Sequence, residues 1–449
     1  MLRTPSLIAA SLLFGGVLPA QKQPPIRPLG AVTAVSGEPI TMLAGLRQLP
    51  GGRVLANDPI GRRLVLLDSS LKLVSVVADT TPATGNAYGA RFAGLLAYRG
   101  DSTLFVDPQS LSMLVIDPAG KVARVMSVPR AEDAMSLAGP VGGAYYDGRG
   151  GIVYRSSSFT RRMRGGPGGP GGPGAGGPPP AMPDTAPLVR VDLATRKLDT
   201  LAWLKVTNPS INVTRDESTG RMSVTSTVNP LPVVDDWAMT ADGAVALVRG
   251  RDYHVDWVNP DGSRSSSPKV PFEWQRLSEE DKVALIDSVK AQRERMAAQG
   301  MSAEGGVVMR AGREAAVAGA AGAAAAGGPD RVSIVMSDGP RGAGGAQPST
   351  FNGAPTLNFV SPSELPDYKP PFFAGAVRAD ADGNLWVRTI PTRQIPGGPV
   401  YDVIDRQGQL VDRVQVPANR QIAGFGPGGV VYLSGREGDR TVLERARVK

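Results

Sequence analysis

The chain has 449 residues, a formal net charge of +8 at pH 7, one histidine and no cysteine. Without cysteine it has neither disulfides nor a thiol for lipid attachment, so its stability must come from a buried core. A single histidine excludes a multi-histidine zinc or iron centre. The basic residues are spread along the whole chain without interleaved aromatic residues, which argues against nucleic-acid binding.

Residues 1–20 have the pattern of a secretory signal peptide. Arg3 precedes an apolar stretch at 7–18 that is too short to span a bilayer, and Ala20 comes just before a polar segment. No later run approaches the ~18 apolar residues of a membrane span. We therefore expect the mature chain to start near Gln21 and to be a periplasmic or secreted monomer with no membrane span.

Six tight glycine turns, each next to a short β-branched or aromatic run, dominate the rest of the sequence. The turn glycines are Gly52, Gly100, Gly148, Gly243, Gly383 and Gly428. Five units contain a second turn, which is opened by Asp68, Asp117, Asp192, Asn259 or Asp405. A period near ~48 residues with two hairpins per unit predicts an all-β fold, a six-bladed β-propeller over residues 30–449. We name the strands of each blade a to d, outward from the ring axis.

The sixth unit ends at the C-terminus one strand short of four. The segment 30–37, GAVTAVSG, alternates apolar and small residues, precedes the first blade and has no partner of its own. We expect this segment to be the outer strand of blade 6, because that pairing closes the ring and removes a sheet edge.

Three insertions interrupt the blades. A Gly/Pro-rich loop occupies 156–186, a second insertion spans 205–231, and a third, which is helical and Ala/Gly-rich, spans 271–370 between blades 4 and 5. All three leave the ring on one side, because the b–c and d–a connections of a propeller share a face. We call this side the insert-bearing face and expect it to be the binding face, with the low-complexity stretches disordered.

The third insertion contains one predicted helix, SEEDKVALIDSVKAQRERMAAQ. Ser278 and Asp281 approximate a capping box at its start. Its apolar side chains fall near one stripe, which should dock on the propeller. The stripe residues are Val283, Ile286, Val289 and Met296.

Charged residues stand where the b strands reach the insert-bearing face. In blades 1 to 5 these are Asp58, Asp107, Arg155, Arg249 and Arg388. Arg251 lies in a neighbouring turn. Converging guanidinium groups bind carboxylate, sulfate or phosphate through charged bidentate bonds, so we expect a small anionic ligand or a partner protein here. The structural alternative is that these arginines pair with acids of adjacent blades or face solvent.

Calcium is the one cofactor that the sequence leaves open. Asp235 and Asp236 begin the inner strand of blade 4, and with Asn57 they could hold this ion through oxygen ligands. Paired acids at a strand start are also common as solvated turn residues. His254 lies in a strand of alternating residues, where we expect a packed or exposed side chain and no catalytic triad.

The b-strand form LWVR and the c–d hairpin VIDPAGKV resemble those of the NHL-repeat and related six-bladed propellers. The segments DADGNLWVRTIP and YDVIDRQGQLVDRVQVP are similar to the terminal blades of secreted bacterial propellers without assigned activity. This resemblance implies the fold and carries over no catalytic residue.

Two functions stay open at this point. The first is a non-enzymatic binding or interaction module outside the cytoplasm, which the lack of a recognisable catalytic set favours. The alternative is a calcium-dependent lactonase or hydrolase similar to the sugar-lactonase propellers. Those enzymes need a Glu, an Asn and an Asp that converge on the axis, and here no glutamate begins an inner strand.

Overall fold

The computed structural model describes most of the chain. Its described residues are 23–89, 93–139, 143–156, 183–207, 210–215, 222–298, 356–393, 395–438 and 440–448. The predicted signal peptide and the low-complexity stretches expected to be disordered lie outside these ranges, apart from the edges of the Gly/Pro-rich loop.

The strands follow the predicted units in chain order. The first part of the chain contains β1 (Ile26–Pro28), β2 (Val32–Val35), β3 (Gly45–Gln48), β4 (Val54–Asp58), β5 (Arg63–Leu67), β6 (Leu73–Ala78), β7 (Gly94–Ala97), β8 (Thr103–Asp107), β9 (Ser112–Ile116) and β10 (Val122–Ser127). A short helix, α1 (Ala134–Leu137), then leads into β11 (Ala144–Tyr146), β12 (Gly151–Arg155), β13 (Thr185–Asp192) and β14 (Leu198–Lys205).

The second part of the chain begins with a hairpin that lies outside the six blades. It contains β15 (Ser210–Arg215), β16 (Met222–Val228), β17 (Asp236–Met239), β18 (Val245–Arg249), β19 (His254–Val258), β20 (Arg264–Ser266), the helix α2 (Glu279–Ala298) and β21 (Thr356–Phe359). The last two blades contain β22 (Val377–Ala379), β23 (Leu385–Arg388), β24 (Val400–Ile404), β25 (Leu410–Gln415), β26 (Arg420–Gly426), β27 (Val430–Glu437) and β28 (Arg440–Arg447).

The predicted six-bladed propeller is confirmed. Six sheets are built around strands β3–β6, β7–β10, β11–β14, β17–β20, β22–β25 and β26–β28. The first strands of adjacent blades contact one another, as β3 does with β7 and with β26. A separate hydrophobic core fills each of the six junctions between neighbouring blades. We call these junctions seams.

The ring closes as the sequence predicts. Strand β2 pairs antiparallel with β28 as the fourth strand of blade 6, with Val32 opposite Ala446 and Val35 opposite Glu444. One further contact of the N-terminal segment was not predicted. Strand β1 pairs parallel with the outer strand β25 of blade 5, and Arg27 forms an ion pair with Asp412 there.

The turn residues behave as predicted. All six turn glycines adopt the positive φ that a side chain disfavours. The Asx residues fold back on their own turns: one carboxylate oxygen of Asp68 accepts the N–H groups of Ser70 and Lys72, and Asp405 does the same for Gln407 and Gln409. These local bonds fix the hairpins that define each blade.

The second and third insertions form one unit on the insert-bearing face. Strands β15 and β16 make an antiparallel hairpin in the second insertion, and β21 of the third insertion pairs parallel with β16. This three-stranded sheet was not predicted from the sequence. It joins the connection before blade 4 to the connection before blade 5.

Helix α2 docks on the propeller, but through a different stripe from the predicted one. Its capping box is present, with Asp281 N–H donating to Ser278 Oγ and Ser278 N–H donating to Asp281 Oδ2. Ile286 is 5% exposed, whereas Val283 is 46% exposed. Lys282 takes the buried place beside Ile286, because its ammonium group donates to Glu279 and Asp367 while its stem is covered. The core under the helix also contains Leu231, Leu365, Phe373 and Ile390.

We predict that Ile286→Ala loosens helix α2, because it removes a buried side chain and leaves a cavity that typically costs about 2 to 5 kcal/mol. Hydrogen exchange and limited proteolysis of residues 279–295 should show faster exchange and faster cleavage. Val283→Ala is the matched control, and as an exposed change it should stay within about 0.5 kcal/mol of the wild type. Equal effects of the two variants would contradict the docking of the helix.

We also predict that deletion of residues 30–37 strongly lowers the melting temperature, because it removes β2 and exposes an edge of blade 6. Deletion of residues 163–180, within the connection between β12 and β13, should leave the melting temperature almost unchanged. Thermal unfolding followed by circular dichroism compares the two. If the two truncated proteins have the same melting temperature, the pairing of β2 does not stabilise the ring.

Candidate functional site

The two acids at the b-strand ends are buried and hold turns. Asp58 is 1% exposed and accepts hydrogen bonds from the N–H groups of Thr41 and Gly61, at 2.8 and 2.9 Å. Asp107 is 3% exposed and accepts from the N–H group of Gln109, at 2.9 Å. Both carboxylates therefore anchor connections of blades 1 and 2 at the insert-bearing face.

Arg249 pairs with two acids in the seam between blades 3 and 4. Its Nη1 lies 2.7 Å from Asp235 Oδ2, and its Nε lies 2.7 Å from Asp256 Oδ2. Nη1 also donates to the carbonyl oxygen of Trp203, at 3.0 Å. Burial opposes the charge of this guanidinium, but the hydrogen bonds to Asp256 and Asp235 outweigh it and raise the pKa of Arg249. Arg251 lies exposed in the turn that follows.

A set of inner-strand and strand-end groups near the axis interacts through charge. Burial raises the pKa of Asp236 to about 6, and the N–H of Val377 and the charge of Arg155 oppose that rise. Burial lowers the pKa of Arg155, and Asp236 counteracts it. Tyr145 has its pKa raised to about 12 by burial, which Arg378 offsets and Asp236 reinforces. We call Tyr145, Arg155, Asp236 and Arg378 the axial cluster; it links blades 3, 4 and 5.

Two arginines of blade 5 share one face of their sheet. Arg378 on β22 lies directly opposite Trp386 on β23, and Arg388 lies two residues beyond Trp386. Such diagonal neighbours are about 7 Å apart and within reach of long side chains. Both arginines are half-buried. Within the described residues, neither guanidinium makes a hydrogen bond or an ion pair.

The structure therefore places Arg388 at a different seam from Arg155 and Arg249. Arg155 and Arg249 follow Val153 and Leu247 by two residues, and those two residues pack in the core between blades 3 and 4. Arg388 follows Trp386, which packs in the core between blades 5 and 6. Arg378 joins the axial cluster from blade 5 through its charge on Tyr145. Tyr145 and Arg378 were not predicted from the sequence, because they lie in the middle of a strands and not at the ends of b strands.

The three residues considered for calcium lie at three different seams. The Asn57 amide donates to Ala93 O at 2.7 Å and accepts from Tyr88 Oη at 2.7 Å, between blades 1 and 2. Asp235 accepts from the N–H of Lys205 in blade 3, and Asp236 accepts from that of Val377 in blade 5. The structure does not bring these oxygens together. In the parts of the chain that it describes, no group of three or more His, Cys, Asp and Glu residues is placed to hold a metal ion.

His254, at the start of β19, lies between two carboxylates. Its Nδ1 is 2.8 Å from Asp252 Oδ1, and its Nε2 is 3.2 Å from Asp256 Oδ1. Ser266, on the next strand, donates to Asp256 and not to the imidazole. The half-buried imidazole thus belongs to the same charge network as Arg249.

No protein-family model matches the sequence, and neither does any curated protein. Among solved structures, a member of the DUF4221 family from Bacteroides vulgatus is similar with a TM-score of 0.41 and 8% identity, covering 96% of this chain and 97% of that one. A gluconolactonase from Xanthomonas campestris gives 0.37 and 12%, covering 94% and 99%. A calcium-binding regucalcin from Agrobacterium tumefaciens gives 0.36 and 11%, covering 94% and 97%. The assignment of six blades is based on the strand pairing of this protein itself.

Across the described ranges, no helix has both the length and the apolar character needed to cross a membrane.

We predict that Asp236→Asn changes how stability depends on pH. The folded-state pKa of about 6 lies above the ordinary value of 3.8, so the folded protein keeps a proton that the unfolded chain has released in this interval. The contribution of Asp236 to stability therefore falls as the pH rises from about 4 to about 6. Asparagine keeps an oxygen to accept the Val377 N–H and carries no charge. The free energy of unfolding of the variant should rise relative to that of the wild type by up to about 3 kcal/mol across this interval.

Urea denaturation of both proteins between about pH 4 and pH 7 measures this difference. Asp261→Asn is a control of opposite sign, because hydrogen bonds from Ser263 hold the pKa of exposed Asp261 below its usual range. A difference between the Asp236→Asn variant and the wild type that stays constant with pH would contradict the assignment.

Proposed function

We propose that the protein is an exported, non-enzymatic binding module whose insert-bearing face takes a small anionic ligand. The observation that carries this proposal is the burial and the lack of bonded partners of Arg378 and Arg388 within the described residues. They lie half-buried on one face of blade 5, and within the described residues their guanidinium groups have no protein partner. A guanidinium that is partly withdrawn from water and lacks a carboxylate is suited to bind an anion.

The neighbouring arginines make the contrast clear. Arg249 and Arg413 are also half-buried, and each pairs with carboxylates, such as Asp235 for Arg249 and Asp402 for Arg413. Their charge is used to join strands and blades. The charges of Arg378 and Arg388 are not used in this way, so they are available to a ligand at the insert-bearing face.

The axial cluster only partly offsets the charges of Arg378 and Arg388. The two guanidinium groups bring two positive charges, and Asp236, with its pKa of about 6, brings at most one negative charge. Tyr145 stays neutral at physiological pH, because its pKa is raised to about 12. An anion that enters from the insert-bearing face would therefore meet a net positive field near blade 5.

The proposal of binding without catalysis rests on how the other polar groups are used. The side-chain oxygens of Asn57, Asp58 and Asp235 accept hydrogen bonds in turns and seams, and the imidazole of His254 is held by two carboxylates. Export rests on the pattern of residues 1–20, in which a basic residue precedes a short apolar stretch.

We expect Arg378→Ala and Arg388→Ala each to weaken anion binding by about tenfold to a hundredfold, as is typical for loss of a charge-assisted bond out of bulk water. Isothermal titration with an acidic sugar, a phosphate monoester and an anionic peptide, at constant ionic strength, measures this effect. Arg124→Ala, an exposed change on β10 of blade 2, is the matched control and should bind as the wild type does.

If only the anionic peptide binds, and both variants lose affinity for it, the natural ligand would be an acidic partner protein and not a small anion. Wild-type affinity in both variants would refute the site. Retained binding in Arg378→Ala with loss in Arg249→Ala would move the site to the seam between blades 3 and 4.

A further inference from the structure

A pocket of about 420 Å³ opens on the face opposite the insertions, at the seam between blades 6 and 1. Its walls come from three parts of the chain: Thr33 of the N-terminal strand β2, Arg445 and Arg447 of the C-terminal strand β28, and Gln48 of β3. Tyr432 also lines it. The volume lies within the range of about 300 to 1,000 Å³ that small-molecule sites occupy.

Two glycines of blade 6 let blade 1 approach closely at this seam. A Cβ atom on Gly426 would clash with Gln48 Oε1, and one on Gly424 would lie 2.9 Å from Leu46 Cδ2. Gln48 can therefore reach across the seam, where its Oε1 accepts the hydroxyl hydrogen of Tyr432 at 2.9 Å. The amide nitrogen of Gln48 makes no hydrogen bond within the described residues and remains available as a donor at the pocket wall.

The polar groups that line the pocket are mainly donors. Arg445 donates through Nε to Thr33 Oγ1 at 3.2 Å and also to the carbonyl oxygen of Ser69 in blade 1. The exposed guanidinium of Arg447 has no partner in the described part of the chain. None of the lining residues is acidic, and Val430 and Ala446 provide apolar surface. A site with two guanidinium groups, an amide donor and apolar walls suits an anion attached to a small apolar body.

We propose that this pocket binds a small organic anion, a carboxylate or a phosphate monoester, and that binding strengthens ring closure. The site is separate from the one proposed on the insert-bearing face. Its ligand would touch both strands of the β2–β28 pair and the first strand of blade 1, the three elements that meet where the ring closes. A ligand that binds the closed ring, and does not bind the unfolded chain, stabilises the closed ring by mass action.

Isothermal titration and thermal unfolding with citrate, phenyl phosphate and inorganic phosphate, at constant ionic strength, test this proposal. The wild type should bind at least one organic anion saturably and melt at a higher temperature with it. Arg447→Ala should weaken binding by about tenfold to a hundredfold and abolish the shift in melting temperature. This side chain is exposed, so the variant should fold normally. The matched control is Arg440→Ala, an exposed arginine at the other end of β28, which should bind as the wild type does.

Three results would overturn the proposal. The first is no saturable binding of any of the three anions to the wild type. The second is an equal loss in Arg447→Ala and Arg440→Ala, which would indicate an effect of net charge. The third is binding that Arg388→Ala removes and Arg447→Ala preserves, which would place the anion on the insert-bearing face. Conversely, loss in Arg447→Ala with full binding in Arg388→Ala would support this pocket whatever becomes of the other site.

Discussion

The middle strands of each blade are buried on both faces, and each face belongs to a different hydrophobic core. In β8, Leu104 and Val106 pack in the core shared with blade 3, whereas Phe105 packs in the core shared with blade 1. A blade therefore needs a neighbour on each side to bury its surface. The ring has to close, and the core that contains Tyr432 and Val54 depends on blade 6, which both ends of the chain build.

This constraint also decides which charges can serve a ligand. Strand ends at the seams carry polar groups that neighbouring blades must satisfy, since an unpaired buried group is costly. Asn57 binds across the first seam, Asp235 across the third and Asp236 across the fourth. Arg249 is held within the same system of bonds. A charged side chain can therefore bind a ligand only where no group of a neighbouring blade pairs with it. Within the described residues, Arg388 in blade 5 is such a side chain.

The sequence predicted the elements whose signals are local. Glycine turns, Asx turns and the unmatched segment 30–37 were enough to define the blades and their closure. Strand β1 was not predicted because the prolines around Ile26 give no alternating pattern. Strand β21 was not predicted because it pairs with a strand in a different insertion. The partner of Arg249 could have been inferred, because the hairpin from β18 to β19 places Asp256 on the same face. The separation of Arg155 from Arg388 depends on which core each strand face enters, which spacing alone does not specify.

The covalent connectivity of blade 6 differs from that of the other blades. In every other blade a short turn or loop of a few residues joins strands c and d, so their pairing is kept at low entropic cost. In blade 6, strand d is β2 and strand c is β28, and nearly the whole chain separates them. Their pairing is held by non-covalent contacts such as the bond from Arg445 to Thr33. Because the pocket is lined by those same residues, a ligand there would act directly on the c–d strand pair of blade 6, which no short connection holds together.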